Sequence, residues 1–253
     1  MSVLALARSE ITKLVTLRRL WVLALVAVVG TWPMAWMNAA SSADLDLDDP
    51  RLFSAVPVPV EYQGFEMAGF GYVLVVALAS LWAGSEYGSG NQIRTTLLST
   101  PRRIRVFVFK AAVLAGAVAV VGLVTMWGTI VITHLRGDTG IGPWTLTPAI
   151  WANLGGVTLA WALTALIAFA AGVIARSAIL PLILISPLVI GLGDFLADVW
   201  DGARYLPVVA GSALYSDPAN GIYLSPGVGG LLQAGWALVL LAVAGVVFVR
   251  RDL

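Results

Sequence analysis

The chain has 253 residues, of which 59% are hydrophobic and only 11% charged, against roughly 25% charged in an ordinary soluble domain. With a mean hydropathy of +0.91 and no cysteine, it cannot be a disordered chain or a disulfide scaffold, and a soluble globular domain is all but excluded. A polytopic helical membrane protein remains; the net charge of +1 says little, and its distribution says much.

In chain order, Ser2 to Arg19 reads as an amphipathic helix. Leu4, Ala7, Ile11, Leu14 and Val15 share one face, and Arg8, Thr12, Thr16 and Arg19 another. Such a helix lies in the inner headgroup layer, where Arg8, Lys13, Arg18 and Arg19 meet anionic lipid. It serves as a topology anchor or as an elbow that steers the first span. It is too polar and too long for a signal peptide. The first span runs from about Leu20 to Ala40. The acidic run Asp44 to Asp49 lacks the glycine and closing glutamate of a calcium loop and reads as a solvated outer loop. The second span is about Phe65 to Gly84.

The inner loop at 84–105 is the most informative stretch. Asn91 to Ser99 can form a short helix with Ile93, Leu97 and Leu98 on one apolar face, ended by Pro101. A loop that only enforces topology needs no such stripe; an amphipathic helix is what one protein offers to a groove on another. The third span is about Val106 to Thr133, with His134 interfacial at its outer end, and the fourth about Ile150 to Ala175. The fifth, about Ala178 to Leu196, is interrupted by Pro181 and Pro187, each of which removes a backbone donor. Asp194, Asp198 and Asp201 follow, and Tyr205 to Ser216 is uncharged but too short to cross. This stretch is expected to dip into the outer leaflet and return, buried in protein or lining water. The sixth span is about Gly229 to Val249.

Charge sets the orientation. With both termini cytoplasmic, twelve of the fifteen basic residues lie inside: Arg8, Lys13, Arg18, Arg19, Arg94, Arg102, Arg103, Arg105, Lys110, Arg176, Arg250 and Arg251. Arg51, Arg136 and Arg204 lie outside, together with most of the acids. Trp21 and Trp82 fall near inner span ends, and Trp36, Trp144, Trp151 and Trp200 near outer ones, as an interfacial belt requires. Trp127 and Trp161 lie deep and are expected to pack against neighbouring spans.

What is missing narrows the chemistry. The chain has two lysines (Lys13, Lys110), one histidine and no Gly-x-x-x-x-Gly-Lys-Ser/Thr run. Thiol catalysis, thiolate–zinc and iron–sulfur sites are impossible, and so are sites built on several histidines. No metal site and no nucleic-acid partner are expected. Glu66 and Asp194 stand near outer span ends, and no acid is evident at mid-depth, which weakens an ion-coupled carrier.

The residues Glu86-Tyr87, Gly90, Ile93-Arg94-Thr95-Thr96-Leu97-Leu98 and Pro101-Arg102-Arg103 resemble the first cytoplasmic loop of type-two ATP-binding-cassette export permeases. These are small six-span subunits. The likeness covers the whole chain in topology and mainly Glu86 to Arg105 in motif; Asn91 departs, since the family more often has Thr there. It implies one all-α transmembrane domain over 1–253, with an interfacial elbow helix at 1–19, a cytoplasmic coupling loop at 84–105 and an outer gate region at 196–228. The coupling helix would dock in a separate nucleotide-binding subunit through Glu86, Tyr87, Gln92, Ile93, Arg94, Leu97 and Leu98. That subunit would hold ATP and Mg, and this chain no cofactor. Re-entrant gate helices around Pro187, Asp194, Tyr205 and Pro207 would cap the path. A second copy of the chain, or a related permease, would complete it in a bacterial cell membrane. The expected cargo is apolar or amphipathic: an antibiotic, a peptide or a lipid-like molecule. Two alternatives stand beside this reading, a self-contained channel or secondary carrier and a membrane anchor of a sensing or envelope complex.

Overall fold

The computed structural model describes residues 3–43, 58–85, 103–137 and 140–250. Its long helices are α1 (Val3–Thr16), α2 (Arg18–Ala43), α3 (Ala68–Gly84), α4 (Arg103–Arg136) and α5 (Pro148–Ala175). Then come α6 (Ile179–Pro187), α7 (Gly193–Val199), α8 (Pro207–Ser212) and α9 (Pro226–Arg250). Among the described residues six stretches are long and apolar enough to cross a membrane: Arg18–Ala39, Val60–Gly84, Arg103–Arg136, Pro148–Ala175, Ile179–Val199 and Pro226–Arg250. These are the six expected spans, displaced by a few residues at most ends. The 34 residues of α4 extend about 50 Å at 1.5 Å per residue, enough to cross ~30 Å of hydrocarbon with several turns to spare.

The fourth span is the hub. Of its most apolar window 61% is buried, against 22% for the first, fifth and sixth spans. Its sequence explains its sharp ends. Thr147 caps the start by accepting from the Ile150 N–H, and Pro148 occupies the first turn, where no donor is lost. At the other end Arg176 adopts a left-handed φ of 51°, and the Ser177 N–H returns to the Gly172 carbonyl. Around α5 pack α3, α4, α6, α8 and α9, while α2 closes the bundle against α3 and α4. Small residues let these helices approach: a Cβ on Gly156 of α5 would overlap the Leu214 carbonyl beyond α8. The core between them holds Trp161, Phe169, Leu154 and Met126, all fully buried.

The fifth span breaks at one place rather than two. Pro181 sits in the first turn of α6, whose N–H groups have no intrahelical partner, so it interrupts nothing. The break lies beyond Pro187. There Leu188–Leu192 forms a wide π turn in which Gly191 takes φ 119°, and the chain restarts as α7.

Three other side chains differ from expectation. Trp82 is fully buried rather than interfacial, and His134 is 4% exposed with no hydrogen-bond partner on either ring nitrogen among the described residues. Trp127 lies on the outside of the bundle against Trp144, with ring centroids 6.0 Å apart. In α1, Ile11 and Val15 are exposed, as are Arg8 and Thr12, and Glu10 is fully buried.

Candidate functional site

Two features stand out, one at each end of the bundle. The acidic end carries a groove of about 600 Å³, in the range of small-molecule sites. Its formation starts with a turn. Gly64 takes φ 90°, and its N–H donates to Glu66 Oε2 at 2.8 Å, which fixes the carboxylate at the start of the second span. Asn38 Nδ2 donates to the other oxygen at 3.0 Å, so the first span holds it too. The first two turns of α3 then form one wall, with Phe70, Val73 and Leu74. The broken stretch Leu188–Gly191 forms the opposite wall and brings in Asp194. A straight fifth helix could not supply both the turn and the carboxylate from consecutive residues; the break at Gly191 re-aims the chain.

The returning segment closes the groove. Val208 and Ser212 of α8, with Tyr215, Ser216 and Tyr223, line its third side. Tyr223 donates to Asp194 Oδ1 at 3.0 Å. Burial first, then the nearby Asp194 charge, pushes the Tyr223 phenol up; burial likewise raises Tyr215 well above the ordinary tyrosine range. Both phenols therefore stay protonated and can donate. At the bottom Tyr72 stacks on Trp161, with centroids 5.6 Å apart. Its hydroxyl meets Thr164 Oγ1 at 2.6 Å, and Gln233 Nε2 donates to the same Thr164 oxygen at 2.9 Å and to the Ala160 carbonyl at 3.1 Å. This uncharged network ties α3, α5 and α9 together directly beneath the groove.

Of the expected gate residues, only Asp194 lines this groove. Pro187 is exposed at the end of α6, and Pro207 opens α8. Tyr205 is exposed, and its carbonyl accepts from Trp236 Nε1 at 3.0 Å, which pins the returning segment to the sixth span. Within 207–216, Val208 to Ala213 are buried against α5 and α9.

The basic end carries a buried charge cluster. Glu10 of α1 is fully buried and contacts Lys13 Nζ at 2.8 Å and Lys110 Nζ of α4 at 3.2 Å. The Lys110 ammonium lies 4.0 Å from the centroid of the Trp82 ring near the end of α3. Arg8, Arg18 and Arg19 are exposed, whereas Lys13 is half-buried and committed to Glu10. Just beyond Trp82 the chain enters the stretch 84–105, which the sequence reading expects to be a coupling loop. Glu86, Tyr87, Gln92, Ile93, Arg94, Leu97 and Leu98 lie outside the described residues. Among the described residues, no three His, Asp or Glu side chains gather as a metal site would require.

Sequence reasoning missed Tyr72, Tyr215 and Tyr223 as groove residues and Glu10, Lys110 and Trp82 as one cluster. Glu10 had a visible signal, as the lone acid in an otherwise basic leading segment. The tyrosines had none, because their meeting depends on the return of 207–216. No protein-family model matches the chain, and no curated protein matches it.

Proposed function

We propose that this chain is the membrane-spanning permease subunit of an ATP-driven exporter, seated in a bacterial cell membrane with both termini cytoplasmic. One observation carries the reading: α3 has the aromatic groove on its first turns and leads, at its last residue, into the segment Glu86–Arg105 that resembles a coupling loop. A 17-residue helix of this kind is a rigid strut about 25 Å long. Motion imposed at one end reaches the groove at the other.

The chain breaks no bond itself. A separate nucleotide-binding subunit carries ATP and Mg, and Ile93, Leu97 and Leu98 anchor the coupling helix in its cleft. Glu86, Tyr87, Gln92 and Arg94 supply the polar contacts. ATP draws two such subunits together beneath two permease chains, the coupling helices approach, and α3 and α4 tilt. The broken fifth span and the returning segment 196–228, dipping into the outer leaflet, then open the outer mouth. Arg8, Arg18 and Arg19 sit among lipid headgroups while Ile11 and Val15 dip below them, and Glu10 locks this elbow to the third span.

The test is a gentle-detergent purification of the tagged chain expressed with its neighbouring genes, followed by an ATPase assay. The expected result is a soluble ATPase in equal amount, lost in the Ile93→Asp variant while the variant still inserts. A chain that purifies alone, or with a partner lacking ATPase activity, contradicts the proposal.

A further inference from the structure

The groove has a chemistry that the transport reading leaves open. Phe65, Phe70, Leu74, Leu188, Ile190 and Val208 make its walls apolar. Two carboxylates, Glu66 and Asp194, share that lining, and it contains no lysine, arginine or histidine. The two described arginines at this end are engaged elsewhere. Arg204 pairs with Asp201 at 2.9 Å, and the Arg136 guanidinium lies 5.6 Å from the centroid of the Trp36 ring.

Hydrogen bonds hold both carboxylates without neutralising them. Asn38 and the Gly64 N–H donate to Glu66, and Tyr223 donates to Asp194. Neutral donors fix the oxygens and leave the charge uncompensated: Glu66 is exposed and Asp194 half-buried, both beside the apolar walls. An anion would be repelled. A lipid tail would cover the walls and leave both carboxylates without a counter-charge. A cation with an aromatic body satisfies everything at once: its charge pairs with the acids, and its rings pack on Phe65, Phe70 and Tyr215. The volume of about 600 Å³ admits a drug-sized molecule of that kind.

We propose that this groove binds a small amphipathic cation, with its positive centre on Glu66 and Asp194 and its apolar body against the aromatic walls. That such a cation is the exporter's cargo rests on the transport reading; that it binds rests on the groove.

The test uses the full chain alone in nanodiscs of phosphatidylcholine, with radiolabelled tetraphenylphosphonium as probe and empty nanodiscs as background. No ATP and no partner subunit are needed, so the outcome is independent of the co-purification result above. Saturable binding is expected, weakened about tenfold by Glu66→Gln and by Asp194→Asn, each of which removes one of the two charge partners. The charge-conserving Glu66→Asp and Asp194→Glu should keep most of it. Triphenylphosphine oxide, of similar shape but neutral, should fail to displace the probe from the native chain. That competition reads charge even if a variant does not fold. Binding no greater than in empty nanodiscs overturns the proposal. So does equal displacement by the neutral analogue, or affinity unchanged in both neutralised variants; these would make the groove an apolar seat for lipid or for a second copy of the chain.

Discussion

Glu10 and Lys110 belong to helices a hundred positions apart, yet their side chains meet in a site that water barely reaches. Desolvating two charges offsets much of their attraction, so the intact pair adds little net stability. Removing one partner is different, because it strands the other charge. Lys110→Met is therefore expected to cost roughly 3 kcal/mol, with Lys13 compensating part of it. Glu10→Gln combined with Lys110→Met should recover much of that loss. Thermal unfolding in detergent, read as a double-mutant cycle, measures this coupling. A single Lys110→Met variant as stable as the native chain would show the contact to be incidental. Each residue is visible in the sequence as an oddity, one acid in a basic segment and one lysine at the start of an apolar span. Periodicity assigns each to a face of its own helix, and nothing local says that the two faces meet. Trp82 shows the same limit: belt statistics put it at the interface, but the ammonium above it and the helices around it take it inside.

The fifth span decides the shape of the acidic end. Its two prolines mark it in the sequence as irregular, but a proline's effect depends on its distance from the helix start, which composition does not give. The structure concentrates the irregularity at Gly191, where φ 119° is out of reach for other residues without strain, and a Cβ there would meet nothing within 4 Å. The cost of Gly191→Ala is thus purely backbone, about 1 kcal/mol or more. Gly155 provides the control, since a Cβ there also meets nothing within 4 Å but its backbone is helical within α5. Gly155→Ala is expected to be neutral or to stabilise by about 0.5 kcal/mol. Unfolding midpoints in one detergent should drop for the first and hold or rise for the second; equal midpoints would mean that the π turn is not required. That Tyr205 to Ser216 is no further span was legible as a run too short to cross. Its packing was not, because it depends on the Gly156 surface of a helix read only as a span.

For the whole molecule, hydropathy alone gave the six spans, since continuous apolar runs leave little room for another architecture. The orientation proposed from the basic residues has its own check. The chain has no cysteine, so single cysteines report cleanly. A membrane-impermeant maleimide applied to intact cells is expected to label Asp217→Cys and to label Ser2→Cys only after permeabilisation. The reverse pattern would invert the bundle and with it the direction of export. A functional proposal can be drawn from the sequence only where a local motif suggests one, as Glu86 to Arg105 does by its likeness to a docking segment, whereas the groove is assembled from α3, the break at Gly191 and the segment beyond α8, which lie far apart in the chain.

The docking of that segment on an ATPase is the central claim, and a photo-crosslinker tests it most directly. Benzoylphenylalanine placed at Ile93, in cells expressing the neighbouring genes, should give one crosslinked species that contains an ATP-binding-cassette ATPase, while the same group at Trp144 on the opposite side should not. Crosslinks from Ile93 to lipid alone, or to a protein without an ATPase site, would contradict the account.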